Sequence, residues 1–155
     1  MTVDLRSVLP DAAVVLDAHP DDWRDAVRLA GRALVDSGST TDQYTAEMLG
    51  AIEALGPYIV IAPGIAIAHA RPSEAVVRSG LSWVRLAEPV EFGHAQNDPV
   101  RLVIGLAARD HEDHLEVMSA IAAALADPAV TADLATASSP AAVRRLLGTA
   151  TRRQS

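Results

Sequence analysis

The run Tyr58-Ile-Val-Ile-Ala-Pro-Gly-Ile-Ala-Ile-Ala-His69-Ala-Arg-Pro72 constrains the fold of this chain more than any other stretch. Its apolar residues fall into two short segments, Tyr58 to Ala62 and Ile65 to Ala68, separated by Pro63-Gly64. Segments of that length, divided by a proline and a glycine, predict two β strands joined by a turn. Side chains alternate across a strand, so Ile65 and Ile67 take one face and Ala66 and Ala68 the other. His69 falls on the Ile65/Ile67 face if the strand continues. Pro72 argues that it stops, because proline cannot donate to a sheet ladder and pushes Arg71 toward extended or turn geometry. A titratable ring is thus delivered to a strand-to-loop transition, where α/β proteins tend to present ligand-facing groups.

The rest of the chain alternates strand and helix patterns. Ala12 to Asp17 reads as a first strand. Pro20-Asp21-Asp22 opens a helix carrying Trp23, Val27, Ala30 and Leu34 at helical spacing, and Gly38 ends it. A second helix starts at the Thr40 to Asp42 cap, places Tyr44, Met48, Ile52 and Leu55 on one face, and stops at Gly56-Pro57. Leu81 to Leu86 and Val100 to Ala108 read as strands, the second apolar enough to be central, with Glu88 to Pro99 as a loop between them. Glu112 to Ala126 reads as a helix with Leu115, Met118, Ile121, Ala122 and Leu125 inward. A short helix over Pro128 to Ala135 and a last one over Pro140 to Leu147, capped by Ser139, complete an α/β sandwich. A single domain over 1–148 and a C-terminal tail over 149–155 are expected.

Composition removes several classes of function. The chain of 155 residues has half its residues apolar, enough for one domain with its own core. It has no cysteine, which excludes disulfides, thiolate metal sites and a cysteine nucleophile, and it has no lysine, so its 13 basic side chains are all arginine. A formal charge of −7 and a pI near 5.1 argue against nucleic acid as a partner. Arg144, Arg145, Arg152 and Arg153 cluster near the end, where a solvated, frayed tail is the expected reading. No signal peptide is visible, and no apolar run approaches the roughly 18 to 20 residues that span a bilayer. A cytoplasmic location is the expectation.

The five histidines differ in context. His19 precedes Pro20 in a polar turn and is expected to be exposed. His94 lies in a loop with Asn97 and Asp98, where it either lines a site or bonds the loop backbone. His111 and His114 open a helix three residues apart, which makes a two-histidine metal site conceivable, although the His-Glu-x-x-His spacing of zinc hydrolases is absent. A helix start also offers free N–H groups and the positive end of the dipole to an anion. A neutral imidazole is a competent nucleophile near pH 7, and attack on phosphorus would place a phosphoryl group on the ring. On spacing alone, His69 is either such a nucleophile or a structural histidine.

A longer pattern bears on that choice. Tyr44-x-x-x-Met48, then Gly56 to Pro72, then Val90-Glu-Phe-Gly-His-x-x-x-Asp-Pro-Val100, then His114-Leu115 closely resembles the IIA component of bacterial phosphoenolpyruvate-dependent sugar phosphotransferase systems. The resemblance is to the mannitol/fructose-type IIA domain, most of all its ascorbate-type branch, and it covers residues 1–148. It implies a mixed five-stranded sheet with helices on both faces. It also implies that His69 accepts a phosphoryl group from the phosphohistidine of HPr and passes it to a cysteine of a IIB component, with a membrane IIC transporter beyond. The match assigns His114 to stabilising the phosphorylated state and implies no metal or organic cofactor.

Two positions depart from the family pattern. Ala68 stands where most members have proline, which removes a fixed φ but no chemical group. Ala51 stands where the mannitol-like branch has arginine, so charge compensation must come from elsewhere; Arg71 is the candidate, against its reading as a plain surface residue. Two other functions stay open: a regulatory, nitrogen-type IIA protein, and a small metal-dependent hydrolase using His69, His111 and His114.

Overall fold

The computed structural model describes residues 4–154, with side chains as far as residue 148. Two short 3-10 turns precede β1 (Val14–Ala18), α1 (Trp23–Asp36) and α2 (Asp42–Leu55). β2 (Val60–Ala62), β3 (Ile65–Ala68), β4 (Gly80–Val90) and β5 (Val100–Ala107) follow, then α3 (His111–Leu125), α4 (Pro128–Thr136) and α5 (Pro140–Gln154). The helix boundaries have local causes. Asp22 caps α1 by accepting from Asp25 N, Asp110 caps α3 by accepting from Asp113 N, and Ser139 Oγ accepts from Ala142 N at the start of α5. Gly56, at φ 85°, ends α2 in a conformation that costs other residues strain. Thr41 makes no side-chain cap; its backbone N–H donates instead to Ala75 O at 2.9 Å, tying the loop after His69 to the start of α2.

The strands form one sheet in the order β1-β4-β5-β3-β2. β1 with β4 and β3 with β5 are parallel; β2 with β3 and β4 with β5 are antiparallel. The most apolar strand, β5, is the central one, as its composition predicts. The sheet is mixed and five-stranded with helices on both faces, so the expected α/β architecture holds. Period-two alternation sorts β3 as read from the sequence. Ile65 and Ile67 enter the core beneath α3, α4 and α5, whereas Ala66 and Ala68 face α1 and α2. The small side chains of that second face let the two helices lie close. At their contact a Cβ on Gly31 would overlap the Thr45 side chain.

Four expectations are corrected. The segment expected to be a loop from Glu88 begins later, because β4 runs on to Val90 and pairs with Val100 past an irregularity in register; exposed Pro89 is tolerated there. In α3 the buried stripe is Val117, Ala120, Ile121 and Ala124, at helical spacing. Leu115 and Ala122 lie off that stripe, and Leu115 is 53% exposed. α5 extends past Leu147, since no proline follows to stop it. Arg144 is no solvated tail residue: its guanidinium donates to Leu9 O at 2.8 Å and Arg6 O at 3.2 Å and pairs with Asp11, fastening α5 to the N-terminal segment. The expected 149–155 tail, with Arg152 and Arg153, falls where side chains lie outside the described residues. Among the described residues no single helix is long and apolar enough to cross a membrane.

Candidate functional site

β3 ends at Ala68, and the alternation of its side chains continues one step further on each side. The His69 ring turns toward α3, and Ala70 turns toward Tyr44 of α2. Three neighbours fix the ring. Its Nδ1 lies 2.7 Å from Ile67 O. A carbonyl oxygen only accepts, so Nδ1 carries the proton and Nε2 keeps the lone pair. The Tyr58 ring meets the imidazole edge-on, centroids 5.2 Å apart at 85°, and its hydroxyl donates to His69 O at 3.0 Å. The His114 ring lies 5.3 Å away, tilted by 57°.

The backbone after His69 is tied down as firmly as the ring. Tyr44 is fully buried; its hydroxyl donates to Leu106 O at 2.7 Å, with Ala70 O at 3.2 Å, and accepts from Ala70 N at 3.0 Å. Burial pushes this phenol up to about 12, so it remains a donor throughout the physiological range. Ser73 Oγ donates to Glu47 Oε1 at 2.6 Å and accepts from Ala75 N at 3.2 Å. These contacts hold the chain from Ala70 to Ala75 against α2 and β5.

His69, His114, Arg71, His111 and Ala51 line one groove of about 1000 Å³, walled further by Leu55, Tyr58, Glu47 and Ser73. The structure therefore gathers the three residues expected to act together, and Ala51 does face the same space. Arg71 is exposed and has no ion-pair partner among the described residues. His111 is exposed at the first position of α3, and His114 is half-buried, its Nδ1 enclosed without a hydrogen-bond partner among the described residues. The helix start itself offers an anion less than expected, because Asp110 already accepts from Asp113 N and the first turn carries Glu112 and Asp113. Among the described residues no three His, Asp or Glu side chains are placed to hold a metal ion, which leaves the hydrolase reading without a ligand set.

The remaining histidines have other tasks. His94 Nδ1 accepts from Gln96 N and Asn97 N, and Asp98 accepts from the backbone N–H groups of Phe92, Gly93 and His94. Of its two readings the backbone one holds: the loop is self-bonded, and Asn97 O accepts from Gly64 N to brace the β2–β3 turn. His19 is exposed near Asp17, as expected.

Burial pulls both His69 and His114 below the ordinary histidine value of 6.5, and for His114 the neighbouring His69 and His111 act in the same direction. Both rings are then neutral at pH 7. A lowered folded-state value means the unfolded chain binds more protons below pH 6.5, so this contribution to stability is intact above about 6.5 and is lost as pH falls through the folded value. Urea midpoints at pH 7.5 and 5 should therefore drop less in His69→Gln and His114→Gln than in the parent. An identical drop in all three proteins would contradict it.

Comparison with known proteins decides the family. The family model for "Phosphoenolpyruvate-dependent sugar phosphotransferase system, EIIA 2" matches residues 7–149. The chain belongs to this family. As a type-2 EIIA it is a component of a sugar phosphotransferase system, with a role in phosphoryl transfer. It is 40% identical over 111 residues to the ascorbate-specific EIIA component of Escherichia coli strain K12, covering 72% of each chain. Among solved structures, the complex of enzyme IIAMtl with phosphorylated IIBMtl from Escherichia coli matches at TM-score 0.80 and 31% identity, covering 90% of this chain and 96% of that one. The nitrogen regulatory protein IIA-Ntr of Neisseria meningitidis matches at 0.78 and 30%, covering 92% and 97%.

The sequence singled out His69, His114 and Arg71 and left two contributors without a role. Sequence reading gives Tyr58 a place in a strand and Tyr44 one on the α2 face; their hydroxyls both bond the peptide group that joins His69 to Ala70. Nothing local signals this, because Tyr44 reaches Leu106 O across 62 residues of sequence.

Proposed function

We propose that this EIIA is a phosphocarrier that takes a phosphoryl group from phospho-HPr onto His69 Nε2 and passes it to a IIB component. The observation that carries this is the Nδ1 contact with Ile67 O, which leaves the Nε2 lone pair as the nucleophile of a ring lining the groove. Nε2 forms the bond to phosphorus as the N–P bond of the donor phosphohistidine breaks. The positive charge that develops on the accepting ring is offset by the Ile67 carbonyl, which keeps the Nδ1 proton. His114 donates a hydrogen bond to the phosphoryl oxygens, and Arg71 answers their charge in place of an arginine at the Ala51 position. In the onward step a IIB cysteine thiolate attacks the same phosphorus, the Nε2–P bond breaks, and the His69 ring leaves neutral.

The ascorbate-specific relative supports ascorbate or a related sugar or polyol as the cargo of the associated transporter, and the IIAMtl complex supports IIB as partner. Both protein partners dock over the apolar rim, where Leu55 is 72%, Leu115 53% and Tyr58 38% exposed. Leu55→Asp should slow transfer from phospho-HPr about tenfold or more through docking, with no loss of stability by urea titration. An unchanged rate would place the docking surface elsewhere.

The reading is tested by mixing the protein with Enzyme I, HPr and radiolabelled phosphoenolpyruvate. Acid-labile, alkali-stable label on His69 is the expected result; absence of label overturns it. The likeness to the Neisseria IIA-Ntr supports a second reading, a regulatory protein whose phosphorylation state is its signal. Genes for IIB and IIC partners beside this one favour transport, and their absence favours regulation.

A further inference from the structure

A second cavity, of about 300 Å³, lies at the other end of β3 from His69, between the sheet and the corner where α3 meets α4. Its floor follows from strand register. Arg85 of β4, Leu102 of β5 and Ile65 of β3 are paired in one row across the sheet, and the next row inward is Trp83, Ile104 and Ile67. Every other member of these two rows is apolar. Arg85 is thus an arginine in a core-facing register, following Leu81 and Trp83 on the same face, and a charge in that position is more informative than any exposed one.

Part of its reason is structural: Arg85 Nη1 donates to Leu134 O at 3.2 Å and to Ala137 O, closing the end of α4. The cavity has further polar features that this does not use. Arg101 lines it as well, and no acidic side chain does. Neither arginine has an ion-pair partner among the described residues, in a chain of formal charge −7. Trp83, 2% exposed, forms part of the wall, and its Nε1–H has no hydrogen-bond partner among the described residues. Buried indole N–H groups ordinarily find one. An apolar floor, two unpaired cations and an unused donor suit a small carboxylate with a short hydrocarbon body.

We propose that this cavity is a binding site for a small apolar carboxylate, separate from the His69 groove. The carboxylate pairs with Arg101 and the free side of Arg85, the hydrocarbon lies on Leu102 and Ile65, and the indole donor of Trp83 is satisfied on binding. The proposal does not depend on the phosphocarrier reading.

Titration of the full chain with hexanoate, followed by amide and indole resonances, tests it, with hexanamide and inorganic phosphate as controls. Hexanoate should shift the Trp83 indole N–H and Gly64 saturably below about 10 mM. Hexanamide, lacking the charge, and phosphate, lacking the hydrocarbon, should bind at least tenfold more weakly, and Arg101→Gln, at an exposed position, should weaken hexanoate about tenfold while leaving the folded spectrum intact. No saturable shift, equal binding of either control, an unaltered Arg101→Gln, or shifts confined to His69 and His114 would each overturn it.

Discussion

His69→Gln is expected to lose phosphoryl acceptance by about 10⁴- to 10⁶-fold, the scale on which covalent catalysts fail when the nucleophile is removed. The loss should not be one of folding. His69 is half-buried and its edge contact with Tyr58 contributes about 1 kcal/mol, so the variant keeps its urea transition near that of the parent. His114→Gln makes the useful contrast. It keeps the nucleophile and removes a ring beside it, so label should still appear, about 10²-fold more slowly, as when one donor to a developing anion is lost. Rates are read by quenching the Enzyme I and HPr reaction at fixed times. A His69→Gln protein that labels at the parental rate would move the phosphorylation site to another residue and with it the mechanism proposed above.

The sequence makes the elements legible where one short-range rule acts alone. Period two in Ile65 to Ala68 assigns both faces of β3 correctly, and acids and glycines mark the ends of α1 and α2. The candidate site is legible in the placement of His69, just past the end of a short apolar strand that Pro72 keeps from running on. Reading fails where two faces of similar hydrophobicity compete. In α3, Leu115 and Val117 are both plausible inward residues, and only the approach of the sheet selects Val117 and leaves Leu115 exposed. His94 is a different case, a residue with two sequence readings of which the loop-backbone one holds. Its type suggests chemistry, yet its ring serves the loop backbone, and the signal for this was Asp98, a carboxylate whose several lone pairs suit it to collect consecutive N–H groups.

Contacts that cross the chain are the least legible, and the largest of them gives the second strong expectation. Tyr44→Phe should destabilise the protein by about 2–5 kcal/mol. The ring remains and packs as before against α2's neighbours, so the cost falls on what the oxygen served. The Ala70 N–H and the Leu106 carbonyl both lose their tyrosine partner in a fully enclosed position, and unsatisfied buried groups cost about 1–3 kcal/mol each. A urea midpoint that falls without a change in slope identifies this as lost stability rather than an altered unfolded state. Tyr58→Phe supplies the comparison, since its hydroxyl bonds His69 O from an exposed ring and water replaces it at a cost of about 0.5 kcal/mol. The two tyrosines hold consecutive residues, but only Tyr44 joins the loop to the central strand. If Tyr44→Phe loses less than about 1 kcal/mol, the loop is held by Ser73 on Glu47 and by Thr41 on Ala75, and the anchoring of His69 belongs to α2's surface rather than to the core.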